Sequence, residues 1–90
     1  MYELRINNKF YSFDTVKEAY LYYLDNFATE EDFDYYKKID GKDLRECSDN
    51  EALIGCIFDN VFSPSHHLYK VVKRKDGYEV YKTLQGWTVI

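Results

Sequence analysis

Four side chains in this sequence have the chemistry of a nucleophile, a base or a soft metal ligand: Cys47, Cys56, His66 and His67. Structural zinc sites pair their cysteines roughly two to four residues apart. Here eight residues intervene between Cys47 and Cys56, and adjacent histidines rarely chelate one ion together. The spacing points away from a metal, and no cofactor is expected. A thiol nucleophile needs a base beside it and a third group to orient that base. Cys47 with His66 or His67 supplies the residue types, so a small Cys/His hydrolase or metal protein stands as one alternative. Cys56 lies in an apolar run, where a thiol packs as a small hydrophobe. The four glycines are scattered and none forms a phosphate-cradling loop. The expectation is a protein without enzymatic activity.

Charge says more than these few groups. The net charge is −4, but residues 25–59 hold eleven acids against four bases, while residues 60–90 hold five bases against two acids. Nine of the acids fall between Glu30 and Glu51. Gathered on one surface, they would steer a basic partner protein toward the chain. Glu31, Asp34 and Tyr35 fall on the outward side of a helix beginning at Glu30. Tyr22 falls off the apolar centre of the helix before it and is expected to be exposed. These four are the expected partner contacts, with the tyrosines as anchors of a type enriched at interface hot spots. One version is a mimic of nucleic acid that occupies the basic groove of a nucleic-acid-handling protein. Helix dipoles and solubility account for the same acids with no partner at all.

The basic end of the chain offers a second alternative. Lys70, Lys73, Arg74, Lys75 and Lys82 alternate with Tyr69, Tyr78 and Tyr81. Cations interleaved with aromatics can hold a single strand by charge and stacking. A pI near 5.1 argues against a dedicated nucleic-acid binder. Lysines also blunt exposed sheet edges, which accounts for them structurally.

The elements that must place these residues can be read from period and punctuation. Ninety residues suit one domain, here residues 1–90 as a whole. At 46% hydrophobic and 31% charged the composition is globular. Ten Tyr, six Phe and one Trp supply the bulk of a small core. No run of about 18 apolar residues is present to span a membrane. The first ten residues lack the basic start and apolar stretch of a secretory signal, so a cytoplasmic setting with reduced thiols is expected. Phe, Tyr, Ile, Asn and Lys outnumber Gly, Ala, Arg and Pro. That codon bias suggests an AT-rich genome and fits a phage or mobile-element product that blocks a host factor.

Tyr2 to Ile6 alternates apolar and charged, as a half-buried strand does. Asn7-Asn8 closes a two-residue hairpin that pairs Leu4 with Tyr11 and Tyr2 with Phe13. Tyr2, Leu4, Ile6, Tyr11 and Phe13 then share one face, and Glu3, Arg5, Phe10 and Ser12 the other. Thr15 and Glu18 form a capping box for a helix reaching Phe27. Thr29 opens a second helix to Asp40, with Phe33, Tyr36 and Ile39 inward and Gly41 as its stop. Residues 42–47 read as loop or a helical turn. Ser48 and Glu51 frame a third box, before a helix apolar nearly all round and so expected to be the most buried. Asp76-Gly77 joins two strands, Leu68–Arg74 and Tyr78–Leu84; a two-residue loop pairs Arg74 with Glu79 and Val72 with Tyr81. The three-residue alternative sets Lys70 opposite Lys82 and is disfavoured on charge. Trp87–Ile90 reads as a last short strand.

The order ββ-α-α-α-ββ(β) predicts a single small α+β domain. Its antiparallel sheet, made from the N- and C-terminal hairpins, packs on the first and third helices, with the second at the periphery. An unpaired sheet edge would allow a dimer by strand addition. No stretch is specific enough to name a family. The function expected is a small non-enzymatic binding protein that engages a basic protein partner through an acidic, Tyr-bearing helical surface.

Overall fold

The N-terminal hairpin sets the frame. In the computed structural model, which describes residues 1–84, strand β1 (Tyr2–Ile6) pairs antiparallel with β2 (Lys9–Phe13). Leu4 lies opposite Tyr11 and Tyr2 opposite Phe13, the expected register. Asn7 takes the left-handed region at φ 56°, a conformation its short polar side chain tolerates. The expected strand at Trp87–Ile90 lies outside the described residues.

Helix α1 (Val16–Asn26) starts at Thr15, whose hydroxyl accepts the Glu18 backbone N–H at 3.2 Å. Only half of the expected box forms. The Glu18 carboxylate accepts from the Thr15 hydroxyl at 3.0 Å instead of from a backbone N–H. Helix α2 (Glu30–Asp40) has both halves of its box, between Thr29 and Asp32. It stops at Gly41, in the left-handed region at φ 74°.

Residues Leu44–Cys47 form one 3-10 turn. Helix α3 (Glu51–Asn60) is capped by Asn50, not Ser48. Ser48 already has helical dihedrals, whereas Asn50 is extended and its side chain accepts the Leu53 N–H at 3.1 Å.

Strands β3 (His66–Lys73) and β4 (Glu79–Thr83) complete an antiparallel sheet in the order β2-β1-β3-β4. Here the expected register is wrong. Lys70 lies opposite Lys82 and Val72 opposite Val80, across a three-residue loop with Gly77 at φ 92°. The reason is on the other side of the strand. Side chains alternate faces, so a one-residue slip would turn Leu84 outward. Leu84 is buried, as is Leu68 on the same face. Burying a leucine is worth about 1.5–3 kcal/mol. A like-charge pair costs at most about 1 kcal/mol, so burial decides.

The core lies between the sheet and helices α1 and α3, with α2 against the 3-10 turn at the periphery. Tyr20 is fully buried and its hydroxyl donates to the Leu44 carbonyl at 2.7 Å, tying α1 to that turn. Tyr2 on β1 donates to Glu51 at the start of α3, also at 2.7 Å. The hydrogen bond to a carboxylate pushes the Tyr2 phenol up to about 12.

Two burial expectations need correction. Ile39 is 54% exposed, because α2 touches the body through Phe33 and Tyr36 and nothing among the described residues covers its last turn on that side. Helix α3 is not buried all round. Ile54, Gly55, Ile57 and Phe58 are buried, but Ala52 and Cys56 are exposed on the side turned from the sheet.

Candidate protein-binding groove

Helices α2 and α3 are short, with 11 and 10 residues, and a trough runs between them. Its floor is apolar: Tyr36 and Ile39 from α2, Leu53, Cys56 and Ile57 from α3, and Val61 just beyond. Toward the N-terminus of α2 the trough opens into a wider recess lined by Glu31, Asp32, Asp34, Tyr35, Asn60 and Val61. Asn60 and Val61 belong to both parts, so apolar floor and acidic rim are continuous.

The sequence explains this layout. Thr29 fixes where α2 begins, which puts Glu31, Asp34 and Tyr35 on the side away from Tyr36. Tyr36 is buried and donates to Asp40 at 2.7 Å, locking the helix against the 3-10 turn. Burial, with Cys47 and Asp40 beside it, pushes the Tyr36 phenol strongly up.

The nine acids do not form one surface. Five have local roles: Asp32 in the capping box, Asp40 under Tyr36, Asp43 capping the 3-10 turn, Asp49 paired with Lys17, and Glu51 bound by Tyr2. Glu31 and Asp34 take no hydrogen bond or ion pair among the described residues, and both line the recess with half-exposed Tyr35. Three of the four expected contacts are therefore brought together. Tyr22 is not one of them. It is half-buried rather than exposed, packed against Tyr11, Phe13 and Phe27 at ring distances of 5.4, 5.2 and 6.0 Å. Its place off the centre of α1 makes it the lid over the first hairpin.

The basic cluster of the last hairpin is divided. Alternation puts Lys73 on the sheet face away from the helices and Lys70 and Lys82 on the other face. Arg74 is paired with Asp76 at the turn, 3.1 Å away, and Lys75 is exposed at the tip.

The thiols and histidines also lie in different settings. Cys47 is buried, with Sγ 3.5 Å from the Tyr36 hydroxyl. His66 meets the Tyr23 hydroxyl at 2.7 Å, and His67 stacks on Tyr69. Burial holds His66 below the ordinary histidine range; His67 adds to that and Asp32 opposes it. Among the described residues no three His, Cys, Asp or Glu side chains gather to hold an ion. No described helix is long and apolar enough to cross a membrane.

What sequence reasoning missed is the sheet face away from the helices. Arg5 on β1 is surrounded there by Phe10 of β2, Tyr69 of β3 and Tyr81 of β4, with its guanidinium carbon 5.1, 5.1 and 4.5 Å from the three ring centres. The first hairpin already put Arg5 and Phe10 together, but the wrong register for β4 sent Tyr81 to the opposite face. No protein-family model, curated protein or solved structure matches the chain.

Proposed function

We propose that this chain is a non-enzymatic binding protein, and that the α2–α3 trough takes an amphipathic basic helix of a partner protein. One observation carries the reading: an apolar floor that runs without a break into a recess where Glu31 and Asp34 carry unspent charge beside Tyr35. A helix laid in such a groove buries its apolar stripe on Ile39, Leu53 and Val61. Its flanking Lys or Arg side chains meet the acids at the rim, which favours encounter and fixes register. At 1.5 Å per residue the lined walls, Glu31 to Ile39 and Leu53 to Val61, are about 12 Å long, enough for about two turns of a partner.

The reading is tested by capturing a partner from lysate and titrating it into isotope-labelled protein. The expected result is that amide shifts concentrate on residues 30–40 and 52–61 and weaken as salt is raised. Shifts confined to the sheet contradict it.

A further inference from the structure

We infer that the sheet face turned away from the helices is a stacking platform for single-stranded nucleic acid. The rings come from three strands and bracket one cation. Phe10 is 63% exposed and Tyr81 42%, and Tyr69 lies between them with the exposed His67 ring stacked on it at 5.7 Å. Neighbouring strands are about 4.8 Å apart, so the row from β2 to β4 spans roughly 14 Å. A four-stranded sheet of this width stacks about two or three bases on its aromatic side chains.

Arg5 supplies the polar half of the site. Its Nε donates to Glu3 at 2.6 Å, which fixes the guanidinium beside the rings. A guanidinium has about five N–H donors. Those on the terminal nitrogens of Arg5 meet no acceptor among the described residues and suit a phosphate or a base edge. The Glu3 contact also raises the Arg5 pKa further, so the charge is permanent.

Acids and bases balance on this face, where Glu3 and Glu79 accompany Arg5 and Lys73, so stacking on the rings rather than net charge carries the binding. The excess of acids lies in residues 25–59, the helical layer; of the five bases in residues 60–90, Lys70 and Lys82 face that layer and Arg74 pairs with Asp76. Lys73 shares the ring-bearing face, opposite Glu79, and Lys75 stands at the tip of the adjoining hairpin. An aromatic sheet face also suits a polyproline helix, but a central guanidinium with unused terminal donors favours bases and a phosphate.

The test is fluorescence anisotropy of labelled ten-nucleotide single strands, one DNA and one RNA, against the full chain at about 50 mM salt. Binding of either strand is expected, with a matched duplex much weaker. With about one or two phosphate contacts, log affinity should fall against log salt with a slope of about −0.7 to −1.4, because the single-strand slope is about −0.7 per phosphate. Phe10→Ala and Tyr81→Ala change exposed rings and leave the core intact. Each should weaken binding roughly fivefold to a hundredfold. The groove variant Ile39→Ala should leave it unchanged, which separates this site from the α2–α3 trough. Absence of binding at low salt, full affinity in the Phe10→Ala/Tyr81→Ala double variant, displacement by inorganic polyphosphate as readily as by the strand, or binding of a proline-rich decapeptide in its place would each overturn the inference.

Discussion

The hydroxyl of Tyr23 lies 2.7 Å from Nδ1 of His66, joining α1 to the first residue of β3 across 43 positions of chain. Burial pushes the Tyr23 phenol strongly up, so it stays protonated, and the His66 tautomer sets which partner donates. The His66 pKa is lowered, first by burial, which favours the neutral imidazole.

This pair gives stability a pH dependence with a definite sign. A histidine whose pKa is lower folded than unfolded binds more protons in the unfolded chain, so stability rises with pH through that window. The contribution is complete above the ordinary value of 6.5 and is lost as pH falls through the depressed folded value. Urea midpoints taken at about pH 7.5 and pH 5.5 should fall more in the wild type than in His66→Gln. Equal falls contradict the account.

The capping box at α2 should be worth measuring because α2 has few other ties. Thr29→Ala removes one half of the box, at a cost of about 0.5–2 kcal/mol. The loss should appear first as faster amide exchange in residues 30–40, ahead of α1 and the sheet. Uniform loss of protection across the chain would show that α2 and the sheet unfold together.

The register of the last hairpin is testable by charge. Lys82→Glu converts a like-charge pair with Lys70 into an attractive one. The expected gain is about 0.2–1 kcal/mol, removed when Lys70→Glu is added. In the two-residue-loop register Lys82 would face Val71, and the two substitutions would act independently.

The two cysteines should react at different rates. Cys56 is exposed and Cys47 buried. An aromatic disulfide reagent should modify Cys56 in the folded protein and Cys47 only once urea unfolds it. Rapid labelling of Cys47 in the native state would show that Tyr36 and the 3-10 turn do not cover it.

What could be read from the sequence follows from how local the controlling interaction is. Leu4 opposite Tyr11 is fixed by seven residues of chain and a two-residue turn, and the alternation there admits one register. Thr29, Asp32 and Gly41 declare the ends of α2 by chemistry within a single turn. The errors arise where a distant contact decides. Asp76-Gly77 suggests the shorter loop, but burial of Leu84 selects the longer one. Ile39 has the period of a core residue, yet its side of α2 opens on a trough instead of a neighbour. The candidate groove was half visible: Glu31, Asp34 and Tyr35 come from helix phase, while Leu53, Cys56 and Val61 needed the placement of α3.

The central claim is that acids beside an apolar trough hold a basic partner. The most direct measurement compares wild type with the Glu31→Lys/Asp34→Lys double variant for affinity toward a captured partner. The account predicts at least about tenfold weaker binding at low salt, with the gap narrowing as salt rises. Equal affinity at every salt concentration, in a variant that keeps its fold, would contradict it.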